Sequence, residues 1–274
     1  MLKYTEGYLR LDDVRIHYYR TGGKKPPFLL LHGATDNGLC WTRIAEPLAE
    51  TYDVIMPDAQ GHGLSDRLSK DFTFKRYVEQ AGGLSLALGF NKPLIMGHSL
   101  GADTAANVAI EYPSLPGAII LEDPPWGEPP ASAEEAEKAR REGMARFKRL
   151  IGLHDLTLEE IVAASREMDP QWPEEERLPW ARAKQQFDPS LFAYPIINQS
   201  HYSELVPKIK CPALLIIAEN GIVSPEAAAN AARLWKPKKP FKWVQIKGTT
   251  HNIRRDNFKD FKAALFDFLK ALPA

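Results

Sequence analysis

The sequence predicts an α/β fold, a doubly wound and mostly parallel sheet that carries a helical cap insertion. Three observations lead there. Short, wholly apolar runs such as Phe28-Leu29-Leu30-Leu31 and Ala213-Leu214-Leu215-Ile216-Ile217 have the composition of strands buried on both faces of a parallel sheet. Segments with helical spacing alternate with these runs, the rhythm of right-handed strand–helix–strand crossovers. The alternation stops between Trp126 and Val206, where no buried-strand run occurs, and then resumes. Residues 1–125 and 207–274 are therefore read as the core. Residues 126–206 are read as a helical cap over the carboxyl ends of the strands.

Taken in order, Tyr8 to Arg20 alternates apolar and polar residues around Asp12-Asp13, the pattern of a hairpin at a sheet edge. Thr21-Gly22-Gly23 turns the chain into the strand Phe28 to Leu31, which ends in His32-Gly33-Ala34-Thr35. Trp41 to Glu50 has helical spacing and Tyr52 to Met56 is a second buried strand. Pro57-Asp58-Ala59-Gln60-Gly61-His62-Gly63 is a glycine-rich loop. Phe74 to Leu88 reads as a helix whose Gly82-Gly83 pair marks close packing against the sheet. Pro93-Leu94-Ile95-Met96 is a strand, Ala102 to Tyr112 a helix, and Gly117 to Leu121 the next strand, ending in Glu122-Asp123-Pro124-Pro125. In the insertion, Ala131 to Leu150 is charged and helical, and Thr157-Leu158-Glu159-Glu160 opens a further helix with a capping box. The helix Pro225 to Trp235, the strand Phe241 to Ile246 and a last helix from Asn257 to Leu272 complete the pattern.

Composition removes several classes of function. The 35 basic and 35 acidic side chains cancel to a formal net charge of zero, so neither a nucleic acid nor an anionic membrane is expected as partner. A small molecule is. Met1-Leu2-Lys3-Tyr4-Thr5-Glu6 does not read as a signal peptide, and no apolar run approaches the roughly twenty residues of a membrane span. Cys40 and Cys211 lack ligand spacing and read as two buried thiols of a reducing cytoplasm. No metal-binding pattern, P-loop or dinucleotide fingerprint is present, so the chain is read as cofactor-free. Oligomeric state is not legible here.

The chemistry centres on Gly97-His98-Ser99-Leu100-Gly101, a G-x-S-x-G placed between a strand and a helix. A serine on so tight a turn needs neighbours nearly free of side chain, hence glycine at both outer positions. The turn also puts the hydroxyl at a helix N-terminus, where backbone N–H groups meet developing negative charge. Together with Leu31-His32-Gly33-Ala34, Pro57 to Gly63 and Gly248-Thr249-Thr250-His251-Asn252, this motif resembles the α/β-hydrolase family along nearly the whole chain, in family order and spacing.

That resemblance implies a serine hydrolase. Ser99 is the expected nucleophile and His251, in the loop after the last strand, its base. The backbone N–H groups of Ala34 and Leu100 are the expected oxyanion hole. Most of the family carries its acid after the seventh strand, but that loop reads Ala218-Glu219-Asn220-Gly221-Ile222-Val223-Ser224, with glycine where aspartate is expected. Asp123, at the end of the sixth strand, is favoured over Glu219, because some branches, lactone hydrolases of the zearalenone-degrading kind among them, place the acid there. Glu122 has the opposite pleat direction and is expected to point away. His98 and His62 read as motif spacers, His32 as support for the oxyanion loop, Asp103 as a helix-start residue, and Asp36, Asp58 and Asp66 as loop residues.

The resemblance implies hydrolysis of a carboxylic ester or lactone through an acyl-enzyme. Dehalogenase and epoxide-hydrolase chemistry is disfavoured, since those relatives use aspartate at the elbow. A carbon–carbon hydrolase or lyase, or a slow-turnover receptor for a small molecule, are the competing readings. Trp126, Trp172, Trp180, Tyr194 and His201 are candidates to line an apolar substrate pocket beneath the cap, the alternative being that the rings form the cap's own core.

Overall fold

A computed structural model of the chain describes residues 3–128, 131–236 and 239–272. Strands β1 (Thr5–Leu11) and β2 (Val14–Arg20) form the predicted hairpin. β3 (Pro27–Leu31) is followed by a short 3-10 turn and helix α1 (Thr42–Leu48), and β4 (Asp53–Pro57) by α2 (Phe74–Ala87). β5 (Leu94–His98), α3 (Leu100–Glu111) and β6 (Ala118–Glu122) carry the elbow. Helices α4 (Ala133–Leu153), α5 (Leu158–Met168), α6 (Glu174–Gln186) and α7 (Tyr202–Leu205) lie between β6 and β7 (Ala213–Asn220). The chain closes with α8 (Pro225–Leu234), β8 (Phe241–Thr250), α9 (Ile253–Asp256) and α10 (Phe258–Lys270).

The eight strands form one sheet in the order β1-β2-β4-β3-β5-β6-β7-β8. β1 with β2 and β2 with β4 are antiparallel, and every other pair is parallel. Strands β3, β5 and β6, with no polar side chain before their carboxyl ends, sit in the middle, as continuous apolar runs must. One core lies under α2, α3 and α8, and a second under α1 and α10. A third, separate core of Leu153, Ile161, Trp172, Trp180 and Ala181 belongs to the helices inserted between β6 and β7. The capping box at Thr157 is present, with Glu160 returning a bond to the Thr157 N–H.

Some details differ from the sequence reading. Trp41 is not helical: it closes the 3-10 turn, fully buried, and α1 starts at Thr42. Gly82 faces not the sheet but the ring of Tyr112, into which a Cβ would run. β8 continues four residues further than the apolar pattern, because as an edge strand it is half exposed and carries polar residues.

Candidate active site

Ser99 occupies the turn between β5 and α3 with φ 52° and ψ −117°. A Cβ on Gly97 would drive into the Gly101 carbonyl, and one on Gly101 into the Leu31 carbonyl, so space alone requires both glycines. The Ser99 N–H donates to the Glu122 carbonyl on β6 (2.9 Å), and the Ser99 carbonyl accepts from Ala102 and Asp103. Leu100 opens α3, so its N–H is among those without an intrahelical acceptor, at the positive end of the helix dipole.

Asp123 follows directly after β6 in a left-handed conformation, φ 42°, fully buried. Its carboxylate accepts from three donors: Ile222 N–H (2.9 Å), Val223 N–H (3.1 Å) and His251 Nδ1–H (2.7 Å). That bond leaves Nε2 of His251 as the basic nitrogen. Glu219 is elsewhere. Its carboxylate accepts from Gly248 N–H (2.9 Å) and pairs with Lys247 on the exposed edge, which holds its pKa below the usual carboxylate range. The glycine at 221 now has a reason. A Cβ there would lie 2.5 Å and 2.7 Å from the two Asp123 oxygens, so the strand-six carboxylate occupies the space a strand-seven side chain would fill.

The loop after β3 is held on two sides. Gly33 accepts from the Asp36 N–H (3.1 Å), closing a turn whose third residue, Thr35, has φ 65°. Positive φ only at that position is the type II arrangement, normally filled by glycine or asparagine. His32 donates from Nδ1 to the Gly33 carbonyl (2.8 Å) and accepts the Ala59 N–H at Nε2 (3.0 Å). His62 accepts the Thr35 N–H at Nε2 (3.1 Å). Burial holds both rings below the ordinary histidine range, so they stay neutral and can accept. His98 donates from Nε2 to the His251 carbonyl (2.8 Å), which ties the turn at Ser99 to the loop after β8. Of the five non-glycine residues with positive φ among the described residues, Thr35, Ser99 and Asp123 all stand here. Such clustering of backbone strain is characteristic of functional sites.

Sequence reasoning missed the charges behind this site. Asp36, read as a loop residue, is buried and meets Lys184 (3.1 Å), Arg254 (3.3 Å) and Arg255 (2.9 Å). Arg254 also pairs with Glu122 (3.1 Å), and Arg255 with Glu176 (3.4 Å). Burial alone would raise the Asp36 pKa, but the three cations outweigh it and hold the carboxyl well below its usual range. Glu122 thus points away from His251, as its pleat requires, and caps the Arg254 N–H (2.9 Å). One signal was readable: Glu176, Trp180 and Lys184 recur every four residues, which places two charges on the tryptophan face of one helix. Asp103 is likewise more than a helix start. Buried, it accepts the Asn198 N–H (2.8 Å) and an Asn107 amide N–H (3.1 Å), and burial raises its pKa to about 6.

The expected aromatic pocket is not assembled. Trp172 and Trp180 meet edge to face in the cap's own core, and Trp172 donates its indole N–H to Asp256 (2.8 Å). Trp126 is buried in the main core, stacked on Tyr202. Tyr194 is half-buried against Phe72, and His201 caps α7 through Ser203. Trp172 and Trp180 are thus taken up by the packing of the inserted helices, and Trp126 by the main core. A cavity of about 40 Å³ lies under the elbow helix, lined by Leu31, His32, Ala59, Leu100, Gly101 and Thr104 among others. None of Ser99, Asp123 and His251 opens onto it. Among the described residues no three His, Cys, Asp or Glu side chains are gathered as a metal site would need.

Known proteins share this architecture. A family model described as alpha/beta hydrolase fold matches residues 26–254. An N-formylmaleamate deformylase of Pseudomonas putida is 27% identical over 271 residues, 96% of either chain. An uncharacterized protein of Mycobacterium tuberculosis is 36% identical over 103 residues, so this chain spans only 30% of that protein's length. Among solved structures, E-2-(acetamidomethylene)succinate hydrolase has a TM-score of 0.78 at 21% identity, covering 98% of this chain and 100% of its own. An N-acyl homoserine lactone degrading enzyme has a TM-score of 0.73 at 21% identity, covering 96% and 100%. Because the matched model covers residues 26–254, from the start of β3 to the helix after His251 and so most of the chain, the chain belongs to the alpha/beta hydrolase fold family.

Proposed function

We propose that this chain is a serine hydrolase that cleaves a carboxylic ester or lactone through an acyl-enzyme. The observation that carries the reading is the 2.7 Å bond from His251 Nδ1 to the buried Asp123 carboxylate, in a loop that His98 ties to the elbow. Ser99 Oγ attacks the carbonyl carbon while its proton passes to His251 Nε2. The Ala34 and Leu100 N–H groups take the oxyanion; one such donor is worth roughly 3 kcal/mol of barrier. Collapse returns the proton from His251 to the leaving oxygen, and water, deprotonated by the same nitrogen, releases the acid. Asp123 fixes the tautomer and stabilises the imidazolium.

A second reading, hydrolysis of an N-acyl bond on a small acid, is favoured by the deformylase relative that covers 96% of either chain. The same atoms serve it, the leaving nitrogen taking the proton in place of oxygen. No cofactor enters either route. Among the described residues no helix is long and apolar enough to cross a membrane. Cys40 and Cys211 are buried free thiols, which suits the cytoplasm we assign. Purified protein presented with matched esters, lactones and N-acyl amides decides between the readings. Ser99-dependent turnover of esters or lactones at least tenfold above the amides supports the first, and the reverse order supports the second.

A further inference from the structure

We propose that Lys184, on cap helix α6, is a positioning residue for the oxyanion loop: its ammonium holds the strained Thr35 turn so that the seated cap completes the hole. The inference rests on the hydrolase reading above.

Three observations carry it. Lys184 is buried, its side chain 1% exposed, and its ammonium donates to the Thr35 carbonyl (2.7 Å), the Thr35 hydroxyl (2.9 Å) and Asp36 Oδ1 (3.1 Å). All three protons are thereby spent on two consecutive residues of one loop. Next, Thr35 stands at φ 65°, a region that a β-branched residue avoids. Its N–H is taken by His62, so every polar atom of this residue is held from outside the turn. Finally, the turn contains Ala34, whose N–H faces the reacting oxygen in the proposed mechanism. If Thr35 relaxed to negative φ, the Ala34–Thr35 peptide would rotate toward the type I arrangement that threonine prefers and carry the loop with it.

The anchoring of Lys184 explains why the cap can set this geometry. Asp36 is shared with Arg254 and Arg255, which follow His251, and Arg254 is bonded to Glu122, the residue before Asp123. Arg255 reaches Glu176 and Lys184 stacks over Trp180, both on α6. One buried network thus joins the cap to the three segments that bear the oxyanion donor, the base and the acid. A buried ion pair of this kind contributes little net stability compared with apolar packing of equal volume. Geometry is what it supplies.

The test compares K184M, which keeps the length and volume of the side chain, with wild type in p-nitrophenyl acetate turnover. A lost oxyanion donor costs about a hundredfold or more in kcat, so a displaced one is expected to cost at least tenfold, with KM within threefold. In the double variant K184M/T35G the glycine enters the left-handed region without cost, and kcat is expected to rise at least threefold above K184M. A kcat for K184M within threefold of wild type overturns the proposal. So does a KM that rises as much as kcat falls, or a double variant no faster than K184M. Circular dichroism establishes folding first. If K184M does not fold, T35V leaves one donor of the buried ammonium unpaired, and a kcat within fivefold of wild type then overturns the proposal. Loss of turnover in S99A separates the two levels. If S99A stays active the hydrolase reading fails, whereas an inactive S99A beside an unimpaired K184M removes only the role of Lys184.

Discussion

Replacing Asp123 by its amide is the sharpest test of the site. The carboxylate receives three donors on two oxygens: Val223 N–H on Oδ1, and Ile222 N–H with His251 Nδ1–H on Oδ2. An asparagine offers one oxygen and one NH2. With the NH2 toward His251, the imidazole must accept at Nδ1, and Nε2 carries the proton and can no longer act as base. With the NH2 toward Val223, the tautomer survives, but two donors face each other and the negative charge opposite the imidazolium is gone. Charge-assisted bonds exceed neutral ones by roughly 1–2 kcal/mol each, so this milder outcome still costs about 2–3 kcal/mol in the transition state. At about 1.4 kcal/mol per factor of ten, Asp123→Asn is expected to lose at least about thirtyfold in kcat by this milder route and more where the tautomer is inverted. Glu219→Gln keeps an oxygen for Gly248 and loses only an exposed ion pair, so less than tenfold is expected. Gly221→Ala pushes a methyl into the carboxylate and should resemble the Asp123 variant in kcat while Glu219 is untouched. Steady-state turnover of an activated ester, after circular dichroism has shown each variant folded, is the assay. An Asp123→Asn variant within tenfold of wild type, with Glu219→Gln crippled, refutes the assignment.

Other outcomes follow from the same geometry. Ser99→Ala and His251→Ala are each expected to fall below about a hundredth of wild-type turnover with the fold intact; a faster residual rate in Ser99→Ala removes the serine as nucleophile. Asp103 binds its proton more tightly folded, at about 6, than at its ordinary 3.8, so its contribution is full in acid and is lost as pH rises through that window. Two pH units amount to about 3 kcal/mol, and urea midpoints from about pH 4 to about pH 7 should show a decline in wild type that Asp103→Asn lacks. Gly101→Ala is expected to destabilise by about 3 kcal/mol or to prevent folding, read by the same urea transition, because its methyl meets the Leu31 carbonyl.

What could be read from the sequence was local, and what could not be read was assembled from distant segments. The elbow is legible because one tight turn imposes glycine at 97 and 101 whatever surrounds it. The parallel strands are legible because burial on both faces leaves an unbroken apolar run. The acid needed a choice between two loops, and the contact that favours Asp123, Gly221 leaving space for its carboxylate, joins residues 98 positions apart. The tryptophans left two readings open for a related reason: a run of aromatic residues states that a surface is buried, not what buries it, and Trp172 and Trp180 go into the core of the inserted helices while Trp126 joins the main core. The charge network was the hardest to see. With 26% of the chain charged, any Lys or Arg is first read as solvated, and burial of Lys184, Arg254 and Arg255 follows only once α6, α9 and the loop after β3 converge on Asp36. Its charges also cancel: Asp36, Glu122 and Glu176 face Lys184, Arg254 and Arg255, so removing any one member leaves an uncompensated buried charge. The members act as a set, and the cap, the base loop and the oxyanion loop are therefore coupled in stability. Thermal or denaturant unfolding should release all three in one transition, and a cap that melted separately would show that the network does not bind them together.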